Sequence, residues 1–279
     1  METILCPTDF SQSSENAIRY AEELAQRMNS RIELFHSIVE PGPSSAGSPQ
    51  VAPARDPAYH QVQKHKLDLL KCKLEDAEWG IPIAYHTQVG YGYPGDTIPL
   101  QASEVQADLV IIGNKKADGS EDTFLKSVAA DVIKKAPCPV LLIPPTAAFK
   151  PIYKIVFATD LQGEPYSDMS LVFKLAGLFE AEILFLHVLT DEFTGTPETA
   201  KAEYEREHRR FSYKNTSFHT ERGTNLEDSL SQFCRRQKAN FLVMGYHPQH
   251  LWQHLLRQDY SLEMAYHTLL PLLILHYHR

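Results

Sequence analysis

The 279 residues are 43% hydrophobic, 22% charged and 10% aromatic, a balance that excludes a disordered or fibrous chain and suggests about two globular domains. Thirty-five acidic against 27 basic residues leave a formal charge of -8, shared by both halves, so no basic face is available to neutralise a phosphate backbone and nucleic acid is not an expected partner. The opening METILCPTDFS has no basic n-region or long apolar h-region, and no later apolar run approaches the ~20 residues that cross a bilayer, so a cytoplasmic protein without a membrane partner is expected.

In chain order, the short apolar runs TILCP, IELFHSI, PIAYHTQV, LVIIG and PVLLIP are bounded by turn residues and separated by helical stretches, the pattern of a buried parallel sheet with crossover helices. Ser13 or Ser14 is expected to cap the first helix, whose Ala17, Ala21, Leu24 and Met28 fall on one face. The Pro-, Ser-, Gly- and Ala-rich stretch at 41–57 cannot build a core and reads as a mobile insertion. Leu67, Leu70, Leu74 and Ala77 make the stripe of a second helix, and Ser127 is expected to open a last one that Pro137 and Pro139 stop. Cys6, Cys72, Cys138 and Cys234 are scattered without a CxxC pair and read as reduced thiols.

The pattern then repeats. ETILCPTDFS at 2–11 returns as YKIVFATDLQ at 153–162, aligning Thr8 and Asp9 with Thr159 and Asp160, and the strand ends of RIELFHSI and EILFLHVL align His36 with His187. DLVIIGN at 108–114 matches NFLVMGY at 240–246, and PVLLIP matches PLLILH. The prolines of PTAAFKPIY separate the two repeats, giving expected domains 1–146 and 151–279 with five strands and four helices each.

Ligands of an open parallel sheet bind beyond the carboxyl ends of its strands, which singles out Thr8, Asp9, Ser37, Gly90, Gly113 and Asn114. The opening PTDFS, the LFHS strand end, and IIGN followed by LKSVAADVIKKAPCPVLLIP resemble the universal stress proteins in tandem form. The resemblance implies an α/β chain of two Rossmann-like, open five-stranded parallel sheets of the adenine-nucleotide α-hydrolase-like kind. It further implies pairing of the domains through their last strands as an internal pseudo-dimer and a role in stress resistance; a homodimer and unidentified protein clients are the further partners considered. Pairing two edge strands in this way satisfies groups that an open sheet otherwise leaves exposed.

Nucleotide-binding members carry Gly-x2-Gly-x9-Gly followed by Ser or Thr, in which glycines let backbone amides approach the phosphates. Counted from Gly113, the second and third glycine positions hold Lys116 and Lys126, and the hydroxyl position holds Ser127, followed by Val128. The lysines attract phosphate as point charges, yet their Cβ atoms obstruct backbone approach, and Glu121 and Asp122 bring negative charge into the same loop. From Gly245 the count meets Pro248, Gln258 and Asp259, so the second repeat is expected to bind no triphosphate. By the same correspondence Pro7, Asp9, Ser37 and Ile112 line an adenine and ribose pocket for ATP or AMP, with Asp160 as the degraded equivalent of Asp9. Asp9 and Ser127 serve equally as helix caps, and Pro7, Ser37 and Ile112 as sheet-end packing.

Two further patterns compete. Gly90, Gly92 and Gly95 spell GxGxxG, but they follow a third strand, contain Pro94, and lead to a strand ending in Gly113 and Asn114 without an acidic residue, so a glycine-rich turn with only Gly90 echoed by Gly223 is expected. His250 and His254 share a helical face, and His276 and His278 a strand face, which are metal-compatible spacings for zinc that lack a third ligand. His36 and His187 read as hydrogen-bonded structural histidines. GxSxG, HExxH and GxxxxGK[ST] are missing from the sequence. The leading expectation is therefore a non-catalytic stress-response binding or regulatory module, with an adenine-nucleotide switch or slow ATPase as the alternative and a zinc protein as a lesser one.

Overall fold

The computed structural model describes residues 2–39, 56–76, 82–114, 122–159, 161, 169–189, 196–209, 211–246 and 270–276, without the side chains of 122–127, 207 and 246. The chain divides into two compact units, Met1–Val140 and Leu141–Arg279. Of the 41–57 insertion, only Asp56 and Pro57 fall within the described residues. Among the described residues no helix is long and apolar enough to cross a membrane.

The first repeat runs β1 (Thr3–Pro7), α1 (Gln12–Met28), β2 (Arg31–Ile38), α2 (Pro57–Glu75), β3 (Tyr85–Tyr91), α3 (Pro94–Glu104), β4 (Leu109–Gly113), α4 (Asp122–Lys135) and β5 (Val140–Ile143). Its strands lie in the order β3-β2-β1-β4-β5, and β1 pairs in parallel with both β2 and β4. β1 is thus central, and its buried side chains Ile4, Leu5 and Cys6 explain why its sequence is an unbroken apolar run. α1 covers the sheet with Ala17, Ala21, Leu24 and Met28, all buried as their spacing predicts.

The cap of α1 differs from expectation. Ser11, not Ser13 or Ser14, is the N-cap and accepts from the Ser14 amide, while the Ser14 hydroxyl donates to the Ser11 carbonyl. The helix starts early because Asp9 turns the chain one step sooner, its carboxylate accepting from the Ser11 amide at 3.0 Å. α4 likewise begins at Asp122, five residues before the expected Ser127, so Ser127 stands inside the helix and does not cap it. Asp and Thr at 122 and 123 suit a helix start, and no proline interrupts the run that follows.

α2 is held more by polar contacts than by its stripe. Only Gln63 and Leu67 are buried on it, Leu70 and Leu74 are half-buried, and Tyr59, Val62 and Leu69 face solvent. The Lys64 ammonium bridges Asp68 at 2.8 Å and the carbonyl of Thr87 on β3 at 3.1 Å, and the Thr87 hydroxyl donates to Asp68.

Beneath α1, Glu22 is 1% exposed and accepts from the Tyr85 hydroxyl at 2.6 Å. Burial is the larger influence and pushes the Glu22 carboxyl above its ordinary pKa of 4.5, with the Tyr85 hydrogen bond pulling the other way. The folded state therefore prefers the protonated acid, and the contribution to stability is full below the unfolded pKa and fades as pH rises through the folded one. Glu22→Gln keeps an acceptor for Tyr85 and removes the charge. Thermal melts of this variant should show a higher Tm than the wild type at pH 8 and little difference near pH 4; equal shifts at both pH values would contradict this account.

The second repeat runs β6 (Lys154–Ala158), α5 (Ser170–Phe179), β7 (Glu182–Leu189), α6 (Pro197–His208), β8 (Thr216–Arg222), α7 (Leu226–Gln237), β9 (Phe241–Tyr246) and β10 (Leu272–His276). The order is β10-β9-β6-β7-β8, with all described pairings parallel, so both repeats place their first strand in the middle. Five strands and three helices are seen here among the described residues. The core is a cluster of rings. Phe185 of β7 lies 5.2 Å from Phe157, 5.3 Å from Tyr204 and 5.2 Å from Phe211, and Tyr204 stacks on Phe218 at 4.7 Å.

Candidate functional site

The carboxyl ends of β1, β2 and β4 bring Pro7, Asp9, Ser37, Ile112 and Gly113 to one end of the first sheet. Beyond Pro7, the Thr8 amide donates to the Phe35 carbonyl at 2.8 Å, which continues the pairing of β1 with β2 by one residue. The Thr8 hydroxyl then accepts from the Phe10 amide at 3.0 Å and lies 3.1 Å from the Ser14 hydroxyl. Phe10 adopts φ 62°, a left-handed conformation uncommon for a bulky side chain, and its ring rests 4.7 Å from His36.

His36 donates from Nδ1 to the Thr8 carbonyl at 2.7 Å, tying the end of β2 to the turn after β1. Burial lowers its pKa and outweighs the opposing effects of the Thr8 carbonyl and the Asp9 charge, which favours a neutral ring. The second repeat reproduces the device. His187 Nδ1 meets the Thr159 carbonyl at 2.8 Å, the Leu161 amide donates to the Thr159 hydroxyl at 3.1 Å, and Leu161 has φ 58°. Both histidines are hydrogen-bonded parts of the framework, as expected from their placement.

Gly113 at the end of β4 is dictated by a close approach. A Cβ there would stand 2.3 Å from the carbonyl oxygen and 2.6 Å from the carbonyl carbon of Ser13, because the first turn of α1 sits directly against it. The Ser13 hydroxyl donates to the Asn114 carbonyl at 2.6 Å and fastens the same contact. Asn114 is itself 5% exposed, and its Nδ2 has no hydrogen-bond partner among the described residues. On the other side, the Ser37 hydroxyl pairs with that of Thr97 on α3 at 2.7 Å.

Lys116 lies outside the described residues, Lys126 and Ser127 are placed only as backbone of α4, and Val128 is buried in that helix. Asp160, His250, His254 and His278 also lie outside the described residues, whereas Gly245 sits in β9 opposite Leu275 and His276 is buried in β10 opposite Tyr246. Among the described residues no group of three His, Cys, Asp or Glu side chains could hold a metal ion. By sequence Ser13 reads only as a cap and Thr97 stands in no motif; their roles follow from the contacts with Asn114 and Ser37.

The glycines of GxGxxG each have a local cause. Gly90 lies under the Phe35 ring, where a Cβ would come within 2.7 Å, Gly92 has φ 129°, and Gly95 lets α3 approach Asp131 of α4. The echo in the second repeat also differs from the sequence expectation. Gly92 donates its amide to the Ile38 carbonyl and Gly223 to the Leu189 carbonyl, so Gly223 is the counterpart of Gly92 and not of Gly90. Alignment by identity mispairs them because the strand register, not the nearest glycine, sets the correspondence.

With this geometry in view, the family model described as the universal stress protein family matches residues 1–144. The chain belongs to that family. A universal stress protein of Methanocaldococcus jannaschii is 31% identical over 140 residues, covering 50% of this chain and 80% of the relative, and one of Synechocystis is 30% identical over 147 residues, covering 51% and 85%. The universal stress protein structure from Archaeoglobus fulgidus is similar in fold with a TM-score of 0.73, at 14% identity, over 98% of this chain and 96% of that one. The universal stress protein fold is thus an α/β arrangement with parallel sheets, Rossmann-like as the sequence implies.

Proposed function

We propose that this member of the universal stress protein family is a tandem, non-catalytic binding and regulatory module of the cytoplasmic stress response, acting through protein clients. The observation that carries the reading is the way the polar groups at the strand ends are used. Ser37 bonds Thr97, Thr8 bonds Ser14, Ser13 bonds the Asn114 carbonyl, and Gly113 is occupied by the Ser13 backbone. These hydroxyls stabilise the sheet end and are tied to one another and to backbone, not to a base that would activate them as nucleophiles. Lysines at 116 and 126 in place of glycines fit a loop that no longer cradles a triphosphate.

One observation favours the second reading, an adenine-nucleotide switch in the first unit. Among the described residues the buried Asn114 Nδ2 is a donor without a partner, and an orphaned buried donor costs about 1–3 kcal/mol unless a ligand satisfies it. Calorimetric titration with AMP and with Mg-ATP decides between the two. The regulatory module predicts no saturable binding and no hydrolysis. Binding near one equivalent per chain, lost in Asp9→Ala or Ser127→Ala, would instead establish the switch.

A further inference from the structure

A concave site lies in the second unit, at the amino-terminal ends of its strands. It is lined by Tyr153, Ser231, Cys234, Arg235, Lys238, Ala239 and Leu270 and is an open groove of about 160 Å³. Tyr153 immediately precedes β6, Ala239 lies just before β9 and Leu270 just before β10, so the walls are the amino-terminal ends of three strands. The floor is α7, whose Ser231, Cys234, Arg235 and Lys238 recur at i, i+3, i+4 and i+7 on one face.

The framing of the site is firm. Asn240 accepts from the Tyr153 and Lys154 amides at 3.1 and 3.3 Å and donates to the Pro151 carbonyl at 2.8 Å, fixing the segment that carries Tyr153. Lys238 is held at φ 55° as the C-cap of α7, with its amide on the Arg235 and Cys234 carbonyls. Cys234 is buried, and burial pushes its thiol up to about 12, so it supplies neutral wall and no nucleophile.

The charges decide what fits. Basic residues are ordinary in the last turn of a helix, where they complement its carbonyls. Here the neighbouring cations have partners: Arg236 pairs with Glu221 and Lys154 with Glu182. Arg235 and Lys238 make no ion pair among the described residues, in a chain whose net charge is -8. Two cations without an ion-pair partner among the described residues, beside a half-exposed tyrosine ring and the apolar Ala239 and Leu270, select an anion with an apolar body. The volume sets the size, since a cavity of about 150 Å³ accommodates one benzene ring.

We infer that this groove binds a small organic anion, a single ring or short apolar body bearing a carboxylate or phosphate, with Arg235 and Lys238 as its counter-charges. The site is independent of the nucleotide question, because it uses another unit and the other end of the strands.

The test is chemical-shift and calorimetric titration of the full chain with benzoate, phenyl phosphate, inorganic phosphate and benzyl alcohol. Benzoate or phenyl phosphate should saturate one site with Kd about 1 mM or tighter, given the few atoms such ligands offer. Benzyl alcohol and inorganic phosphate should each bind about tenfold more weakly, the first lacking the charge and the second the body. The double variant Arg235→Gln, Lys238→Asn should weaken binding about tenfold or more at unchanged Tm, since asparagine tolerates the left-handed conformation. Asp9→Ala should leave the affinity unaltered. The proposal is overturned by absence of saturation up to about 10 mM, by equal affinity in the double variant, or by benzyl alcohol or inorganic phosphate binding as tightly as phenyl phosphate.

Discussion

Gly113→Val should destabilise the first unit by about 3 kcal/mol or more, at the upper end of what overpacking does, because the obstructing atoms are backbone. A flexible side chain in the way would swing aside. The Ser13 carbonyl, 2.3 Å from the position of the new Cβ, belongs to the first turn of α1, and moving it breaks the Ser13 to Asn114 hydrogen bond and displaces the buried face of that helix. Hydrogen exchange followed peptide by peptide reads this out, with protection expected to fall in β1, α1 and β4 and to remain in β6 to β9. Gly113→Val with unchanged exchange in the first unit would show that the close approach of α1 to β4 is not required. The result bears on function as well: loss of a ligand in such a variant would report a collapsed strand end, so Asp9 and Ser127 are the better probes of binding.

Phe185→Ala should cost the second unit about 3–5 kcal/mol. Phe185 is 0% exposed and, among the described residues, lies against rings from three other segments, Phe157 on β6, Tyr204 on α6 and Phe211 before β8. Deleting it leaves a void bordered by rigid aromatic planes that cannot close in as aliphatic chains do, and it removes the edge and stacking contacts that add to simple burial. Urea titration should show the transition of the second unit at a clearly lower midpoint, with Phe185→Leu intermediate between the alanine variant and the wild type. An alanine variant no less stable than the leucine one would mean that the ring contacts contribute nothing beyond volume.

What could be read from the sequence was whatever rests on periodicity and repetition. The apolar runs located the strands, because a central parallel strand is buried on both faces and needs no polar residues, and the aligned threonine and histidine positions correctly announced one device built twice. What was not readable depends on which atom reaches which. Ser11, Ser13 and Ser14 are equal candidates for a cap by composition, and only the Asp9 turn decides for Ser11 and releases Ser13 to bond Asn114 across about a hundred residues of chain. The glycines illustrate the same limit. Gly113 looks like the first residue of a phosphate loop, but it is required by the Ser13 backbone whatever the ligand, and Gly92 rather than Gly90 answers to Gly223 once strand register is known. The groove floored by α7 was invisible for a different reason, since its walls are three strand starts drawn together only by the sheet order.

The four cysteines carry a practical consequence. Cys6, Cys138 and Cys234 are buried under sheet or helix, and desolvation suppresses their ionisation, with Cys138 and Cys234 pushed up to about 12. Cys72 alone is exposed, on the outer side of α2. A maleimide dye or spin label therefore attaches to the folded wild-type chain at one known position, and the protein reports on the motions of its first unit without any engineered substitution.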